Sequence, residues 1–342
     1  MSSELPLVCI CIPTYNAAPT IGETLASILA QTYSNLVVYV SDNASTDDTL
    51  KVVESLADSR VTIHRFDENI GGEGNFNRCI ELAEGIYTAI FHADDIYETD
   101  MVAKQVAFLE EHPKAGAVFA GASLIDGAGK KFGDAGLPKG LVSADGLYDF
   151  ETMFKAVLCY SNFFICSSVM VRTQVYQNEI KCWRGELFKS SADLDLWFRI
   201  LQHHPVGYLK DKLMRYRISS EQFSARVRLR TERADFFLVT DHYLAQQPVR
   251  ALLGAADLRN YARLERTDRV IRAINLFLTG YPKQAKELVH DAFTWDAFAA
   301  AYQGKRTRFA LFGGIYIKFM STLGLYKVGR VALVYLKQVV RK

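Results

Sequence analysis

The run Ile86-Tyr87-Thr88-Ala89-Ile90-Phe91-His92-Ala93-Asp94-Asp95 decides how the rest of the chain is read. Its first six residues are rich in β-branched and aromatic side chains, which marks a buried strand. The run then stops at two adjacent carboxylates. In an open α/β sheet, ligands bind just beyond the carboxyl ends of the strands. Carboxylate oxygens are also the hard ligands that Mg²⁺ or Mn²⁺ takes together with substrate phosphates. Asp94 and Asp95 therefore form a candidate diphosphate–metal site. Alone, two acids closing a strand are more commonly a solvated turn, so the surrounding segments have to decide.

Upstream, Leu7 to Ile12 is a continuous apolar run ended by Pro13-Thr14-Tyr15-Asn16, a buried strand leading into a loop. Thr20-x-x-Glu23 has the form of a capping box for a helix with Ile21, Leu25, Ile28 and Leu29 on one face. A second strand, Leu36 to Val40, ends in Ser41-Asp42-Asn43, and Ser45-x-x-Asp48 can cap the helix after it. A third strand, Val61 to Phe66, leads into Asp67-Glu68-Asn69-Ile70-Gly71-Gly72, followed by a helix with Phe76, Cys79, Ile80 and Ala83 on one face. Strands alternating with helices imply a parallel sheet with right-handed crossovers. Asn16, Asp42, Asn69 and Asp94 should then emerge on one edge.

Taken together, Pro13-Thr14-Tyr15-Asn16, Gln31-Thr32-Tyr33, Ser41-Asp42-Asn43-Ala44-Ser45-Thr46-Asp47, Asn69-x-Gly71 and His92-Ala93-Asp94-Asp95 resemble the inverting family 2 glycosyltransferases of the GT-A fold, of the bacterial surface-polysaccharide type. The resemblance covers roughly residues 5 to 225. It implies a Rossmann-like α/β domain with a mostly parallel sheet, flanking helices and a C-terminal helical region. Its roles carry over position by position. Pro13, Thr14, Tyr15 and Asn16 would flank the nucleotide base, and Asp42 would accept from the uracil imide, as suits a carboxylate facing a base N–H. Asn69, Gly71 and Arg78 would complete the donor site, with Asp94 and Asp95 holding Mn²⁺ or Mg²⁺. His92 stands where the family often has an aspartate.

Downstream, residues 126 to 146 are glycine-rich and read as a surface excursion, a lid or binding loop. Phe163 to Arg172 resembles the family strand beside the acceptor, and Ser167 and Ser168 are candidate sugar ligands, with a buried pair satisfying backbone groups as the alternative. Ser191-Ala192-Asp193-Leu194-Asp195-Leu196-Trp197 resembles the segment carrying the general base, which falls on Asp193; a helix N-cap is the structural alternative. Asp195 is a candidate to orient Asp193 or the acceptor, and Trp197 is a candidate to stack on a sugar, with the helix core as its alternative place. Arg215-Tyr216-Arg217-Ile218-Ser219 resembles the family's Tyr-Arg-x-His segment with Ser219 in the histidine position, and Arg217 or Arg215 is placed to neutralise diphosphate.

The chain has 342 residues, 49% of them apolar and 23% charged, enough for more than one domain with a large core. A net charge of +2 gives no reason to expect a nucleic-acid partner. The six cysteines lack zinc-type spacing and point to a reduced, cytoplasmic chain. The N-terminal residues have no signal-peptide form, and no uncharged apolar stretch reaches the ~18–20 residues of a spanning helix. Three regions follow: a catalytic domain over 1–225, a helical extension over 226–303 opened by Arg226, Arg228, Arg230 and Arg233, and a basic segment over 304–342. That last segment holds nine Lys/Arg and no Asp or Glu, interleaved with aromatic and aliphatic residues. It suits an anionic membrane surface; helices packed on the enzyme or on another subunit are the alternative.

The expectation is a peripheral enzyme on the inner face of the cytoplasmic membrane. It would move a hexosyl or N-acetylhexosaminyl group from a nucleotide-diphosphate sugar, UDP-linked by preference, to a glycan or lipid-linked acceptor. A non-catalytic nucleotide-sugar-binding scaffold and a sugar nucleotidyltransferase are the rival readings. Homo-oligomerisation stays open.

Overall fold

The computed structural model describes residues 4–138, 141, 145–218, 230–291, 298 and 305–340, without the side chains of 305, 306 and 335–340. The backbone divides into two units: Met1–Val157 with Asn162–Ser219, and Leu158–Ser161 with Ser220–Lys342.

The first unit opens as the alternation predicts. Strands β1 (Val8–Thr14), β2 (Leu36–Asp42), β3 (Val61–Arg65) and β4 (Tyr87–Ile90) are separated by helices α1 (Ile21–Leu29), α2 (Thr49–Ser55) and α3 (Gly71–Leu82). They pair in parallel in the order β3-β2-β1-β4, with Thr14 opposite Asp42 and Cys11 opposite Ile90. A parallel sheet covered on both faces calls for continuous apolar strands, and Val8 to Ile12 are all fully buried. Ile21, Leu25 and Ile28 of α1 pack with Ile10 and Ile12 in the core. The thiols of Cys9 and Cys11 lie in that interior, both raised well out of the ordinary range, each by a thiol hydrogen bond ahead of burial.

Beyond β4 the sheet continues β9-β6-β10-β5. These are β5 (Ile96–Tyr97), β6 (Ala117–Ile125), β9 (Met170–Arg172) and β10 (Val206–Arg217), with α4 (Met101–Glu111) between β5 and β6. β6 and β10 pair in parallel, whereas β9 runs antiparallel to both β4 and β6. Part of the glycine-rich stretch expected as a loop is strand: β7 (Lys131–Ala135) pairs with β6, and β8 (Gly146–Tyr148) pairs with β10, both antiparallel. Of the expected 163–172 strand only β9 forms, preceded by a 3-10 turn at Cys166–Ser168. Helices α5 (Phe150–Tyr160), α6 (Gly185–Phe188) and α7 (Ala192–His203) complete the series. Neither expected cap forms as such: Thr20 makes no cap hydrogen bond, and the N-cap of α2 is Asp48.

The second unit is helical: α8 (Phe236–Leu244), α9 (Gln247–Ala251), α10 (Ala255–Thr279), α11 (Pro282–Leu288), α12 (Lys305–Thr322) and α13 (Tyr326–Val340). Gly280, at φ +103°, closes α10 in the left-handed conformation that glycine adopts without strain. Val270, Ala273, Ile274 and Phe277 of α10 form a core with Ala285, Val289, Ala310 and Ile317. The basic segment is therefore not a free tail. One face of α12 belongs to this core, while Phe309, Phe312, Phe319 and Leu323 remain exposed.

Candidate active site

At the carboxyl ends of β1, β2 and β3, three loops are tied into one frame. Asn43 is its hub. Its amide donates to Asn69 Oδ1 (2.9 Å) and to the Gly71 carbonyl (3.1 Å). Its carbonyl oxygen accepts from the Ile70 N–H (3.1 Å) and from Arg78 Nη1 (2.9 Å). That uses both donors and both lone pairs of the side chain. The Asn43 N–H donates to the Thr14 carbonyl (2.9 Å), and the Arg78 guanidinium lies over the Phe66 ring at 3.8 Å. Asn16 takes a positive φ of 48°, which asparagine tolerates. There its Oδ1 accepts the Thr46 N–H (2.8 Å), and its own N–H donates to Ser45 Oγ (3.0 Å). Pro13 and Thr14 end β1 inside this frame, and Tyr15 is exposed at its rim. Asp42, opposite Thr14, is fully buried. Its Oδ2 accepts the Ser45 N–H (3.2 Å), while its buried Oδ1 has no hydrogen-bond partner among the described residues.

The turn after β4 is held by side chains of α1: Thr20 Oγ1 donates to the Ala93 carbonyl (2.9 Å) and Thr24 Oγ1 to the Asp95 carbonyl (2.7 Å). Donor atoms of His92, Asp94 and Asp95 lie within 4.8 Å of one another. The three differ in what else they do. Asp95 is fully buried; its Oδ2 accepts from Ser167 Oγ (2.5 Å) and its Oδ1 from the Arg217 N–H (2.9 Å). Burial first, then the Asp94 charge, pushes the Asp95 carboxyl well above the usual range. Asp94 is half-buried. Burial lowers the His92 imidazole against the pull of Asp94. A nitrogen and two carboxylates at this spacing are a donor set that fits a divalent cation.

Asp193 is half-buried in the first turn of α7, whose N-cap is Ser191, so it is not the cap. Burial pushes its carboxyl up to about 6, against hydrogen bonds from the Leu194 N–H (2.7 Å) and Asn162 Nδ2 (3.4 Å). Tyr216 feels the charge of both acidic centres. Its phenol is pushed upward by burial first and then by Asp95, Asp94, Cys166 and Asp193, in that order. Neither Tyr216 nor Asn43 was singled out from sequence. Tyr216 sits between two arginines that drew the reading, and Asn43 beside the more telling Asp42.

Five candidate ligands prove to be supports, which for Ser167, Ser168 and Trp197 is the structural alternative. Ser167 is spent on Asp95, and Ser168 donates to the Ile165 carbonyl (2.8 Å) and accepts from the Ala120 N–H (3.3 Å). Asp195 is fully buried and ion-paired with Arg184 and Arg199. Trp197 is buried edge-on to Phe119. None of these four lines an open acceptor site. Arg217, expected at the diphosphate, is buried: its Nε donates to the Asp94 carbonyl (2.8 Å), Nη1 to that of Gly127 (3.2 Å), and Nη2 pairs with Glu23 (2.6 Å). Ser219, Arg226 and Arg228 lie outside the described residues.

Residues 9–170 match the family model described as Glycosyl transferase family 2. Among curated proteins, the chain is 28% identical over 277 residues to the putative glycosyltransferase EpsE of Bacillus subtilis, covering 75% of this chain and 93% of that one. It is 35% identical over 106 residues to WfaP of Escherichia coli, named as a UDP-Glc:α-D-GlcNAc-diphosphoundecaprenol β-1,3-glucosyltransferase, covering 31% of this chain and 42% of that one. Among solved structures it is similar to S. aureus TarS 1–349 in complex with UDP-GlcNAc, at a TM-score of 0.62 and 17% identity, covering 93% of this chain and 92% of that one. It is also similar to the mannosyltransferase PcManGT of Pyrobaculum calidifontis in complex with GDP-Man and Mn²⁺, at a TM-score of 0.54 and 18% identity, covering 96% and 87%.

Proposed function

We propose, on the premise that residues 9–170 make this chain a glycosyltransferase of family 2, that it transfers a hexosyl or N-acetylhexosaminyl group with inversion from a UDP-sugar to a hydroxyl of a glycan or lipid-linked oligosaccharide in surface-polysaccharide assembly. The scaffold and nucleotidyltransferase readings give way to relatives named as glycosyltransferases. UDP and a lipid-linked acceptor are favoured by what TarS is solved with and by what WfaP is named for.

One observation carries the chemistry: the Asp193 carboxyl, pushed up to about 6 by burial, acts through its charge on the same phenol, that of Tyr216, as Asp94 and Asp95 do. In this reading the acceptor hydroxyl gives its proton to Asp193 while its oxygen forms the new bond to C1 of the donor. The C1–oxygen bond to the diphosphate breaks on the opposite face, UDP leaves, and the anomeric configuration inverts. Asp94 and its neighbours would hold a divalent cation, which would supply positive charge against the leaving diphosphate. The bare, buried Oδ1 of Asp42 accepts the uracil imide N–H, because a buried acceptor without a donor is costly until a ligand provides one. Asn43 and Arg78 keep the loops around the base in place.

The test is a donor panel of UDP-, GDP- and dTDP-sugars with a short lipid-linked acceptor, read by nucleotide release and by NMR of the product anomer. UDP-sugar turnover with an inverted anomer is expected. Retained configuration, or turnover confined to another nucleotide, overturns the reading.

In the same reading the second unit meets an anionic membrane surface from the cytoplasmic side. Phe312 (65% exposed) and Val331 (71%) are open to solvent, as are Phe309, Phe319, Leu323 and Val328, and the exposed cations Arg308, Lys327 and Arg330 belong to helices α12 and α13. Among the described residues no helix is long and apolar enough to cross a membrane.

A further inference from the structure

We propose that His92 is a nitrogen ligand of the divalent cation at this site, so that the ion is held in a mixed shell by His92 and Asp94 and Mn²⁺ is favoured over Mg²⁺. The inference rests on the glycosyltransferase reading for there being a cation at all, and goes beyond it in saying which atoms hold it. Three candidate ligands come within 4.8 Å of one another. Asp95 is the least available. It is fully buried, and each carboxylate oxygen already accepts a hydrogen bond, from Ser167 and from Arg217. That leaves Asp94 as the carboxylate and the imidazole as its partner.

The His92 ring is fixed and unspent. Its backbone N–H donates to the Tyr97 hydroxyl (2.8 Å), which sets the start of the turn. Phe76 stands edge-on to the imidazole at 5.5 Å and is itself stacked on Trp183 at 4.5 Å, so the ring is walled in by aromatics. No hydrogen bond to either ring nitrogen is formed among the described residues, and Nε2 is buried without a partner. A buried polar atom left unpaired is unfavourable unless something else meets it. Histidines packed for structure alone ordinarily donate from one nitrogen to a carbonyl or carboxylate, and this one does not. Imidazole suits Mn²⁺ far better than Mg²⁺, which prefers oxygen and water. The aspartate more usual at this position would give an all-oxygen site with less discrimination.

The experiment uses the full chain with Mn²⁺ and UDP. Loss of the free aqua-Mn²⁺ EPR signal measures binding, and electron spin echo modulation identifies nitrogen bound directly to manganese. Wild type should show a directly bound ¹⁴N that changes to the ¹⁵N pattern when histidine alone is labelled with ¹⁵N, a test that needs no variant. H92D should lose that coupling, and its preference for Mn²⁺ over Mg²⁺ should fall about tenfold or more, with circular dichroism confirming the fold. Mn²⁺ binding that is lost in D94A but shows no histidine nitrogen in wild type overturns the His92 assignment and leaves the metal site standing. No Mn²⁺ binding by wild type in the presence of UDP overturns the metal site itself, and this inference with it.

Discussion

In the proposed mechanism, Asp193 serves chemistry at the expense of stability. Its pKa of about 6 in the folded chain lies above the ~3.9 of an unfolded aspartate. The folded state therefore holds the proton more tightly, and stability contributed at low pH is lost as pH rises through that interval. D193N should lower kcat by ~10²–10⁴ while leaving UDP affinity nearly unchanged. It should also melt higher than wild type at pH 7.5, with the gap closing toward pH 4; the gain is at most about 3 kcal/mol before solvent screening. Wild-type kcat should climb with pH through about 6 and then level off. A pH-independent kcat together with a destabilised variant would make Asp193 structural. At this scale the sequence is informative about placement where a polar residue closes a strand or the turn just after it, as with Asp42 at the end of β2 and Asp94 in the turn after β4. It is uninformative for Ser167, Ser168, Asp195 and Arg217, because nothing local says whether such a side chain points to a cleft or to a buried partner, whereas the helix-core alternative for Trp197 is what the structure has.

The joint around Asp95 belongs to the scale of elements. One carboxylate links the turn after β4, the 3-10 turn at Cys166–Ser168 and the end of β10. Removing it strands the Ser167 hydroxyl and the Arg217 N–H in the interior, each at ~1–3 kcal/mol. D95A should therefore unfold ~2–5 kcal/mol more easily in urea, whereas D94A should stay close to wild type in stability and lose metal binding. Equal stability of the two variants would show that Asp95 is not the joint. The βα alternation over β1 to β4 was legible because both periodicities were clean and each strand ended in a polar loop. β7 and β8 were not, since glycine-rich residues with little apolar alternation carry no strand signal; their pairing comes from the edges that β6 and β10 present. The 163–172 run was read too long because its apolar residues serve a tight turn as readily as a strand.

For the whole molecule, the sequence distinguishes an α/β part from a helical one by the loss of strand signals after about residue 225, and the backbone falls into two units of those two kinds. The final helices looked like an independent basic segment because their charge is so one-sided; their inward faces show that α12 also completes the second unit's core. The outward faces can be tested without truncation. Replacing Lys327 and Arg330 by Gln should weaken co-sedimentation with phosphatidylglycerol vesicles about 30-fold, at ~1 kcal/mol per cation, and high salt should erase the difference. Unchanged partitioning of that variant at low salt would rule out a charge-driven surface. In the proposed reading, attachment through exposed side chains, with no spanning helix among the described residues, would also set a kinetic regime. The encounter with a lipid-linked acceptor would become a search in two dimensions at a high effective concentration. Release would stay easy, because a few partly inserted aromatics hold far less firmly than a transmembrane segment. One enzyme molecule would then visit many acceptors in turn, working distributively along a leaflet instead of remaining with a single growing chain.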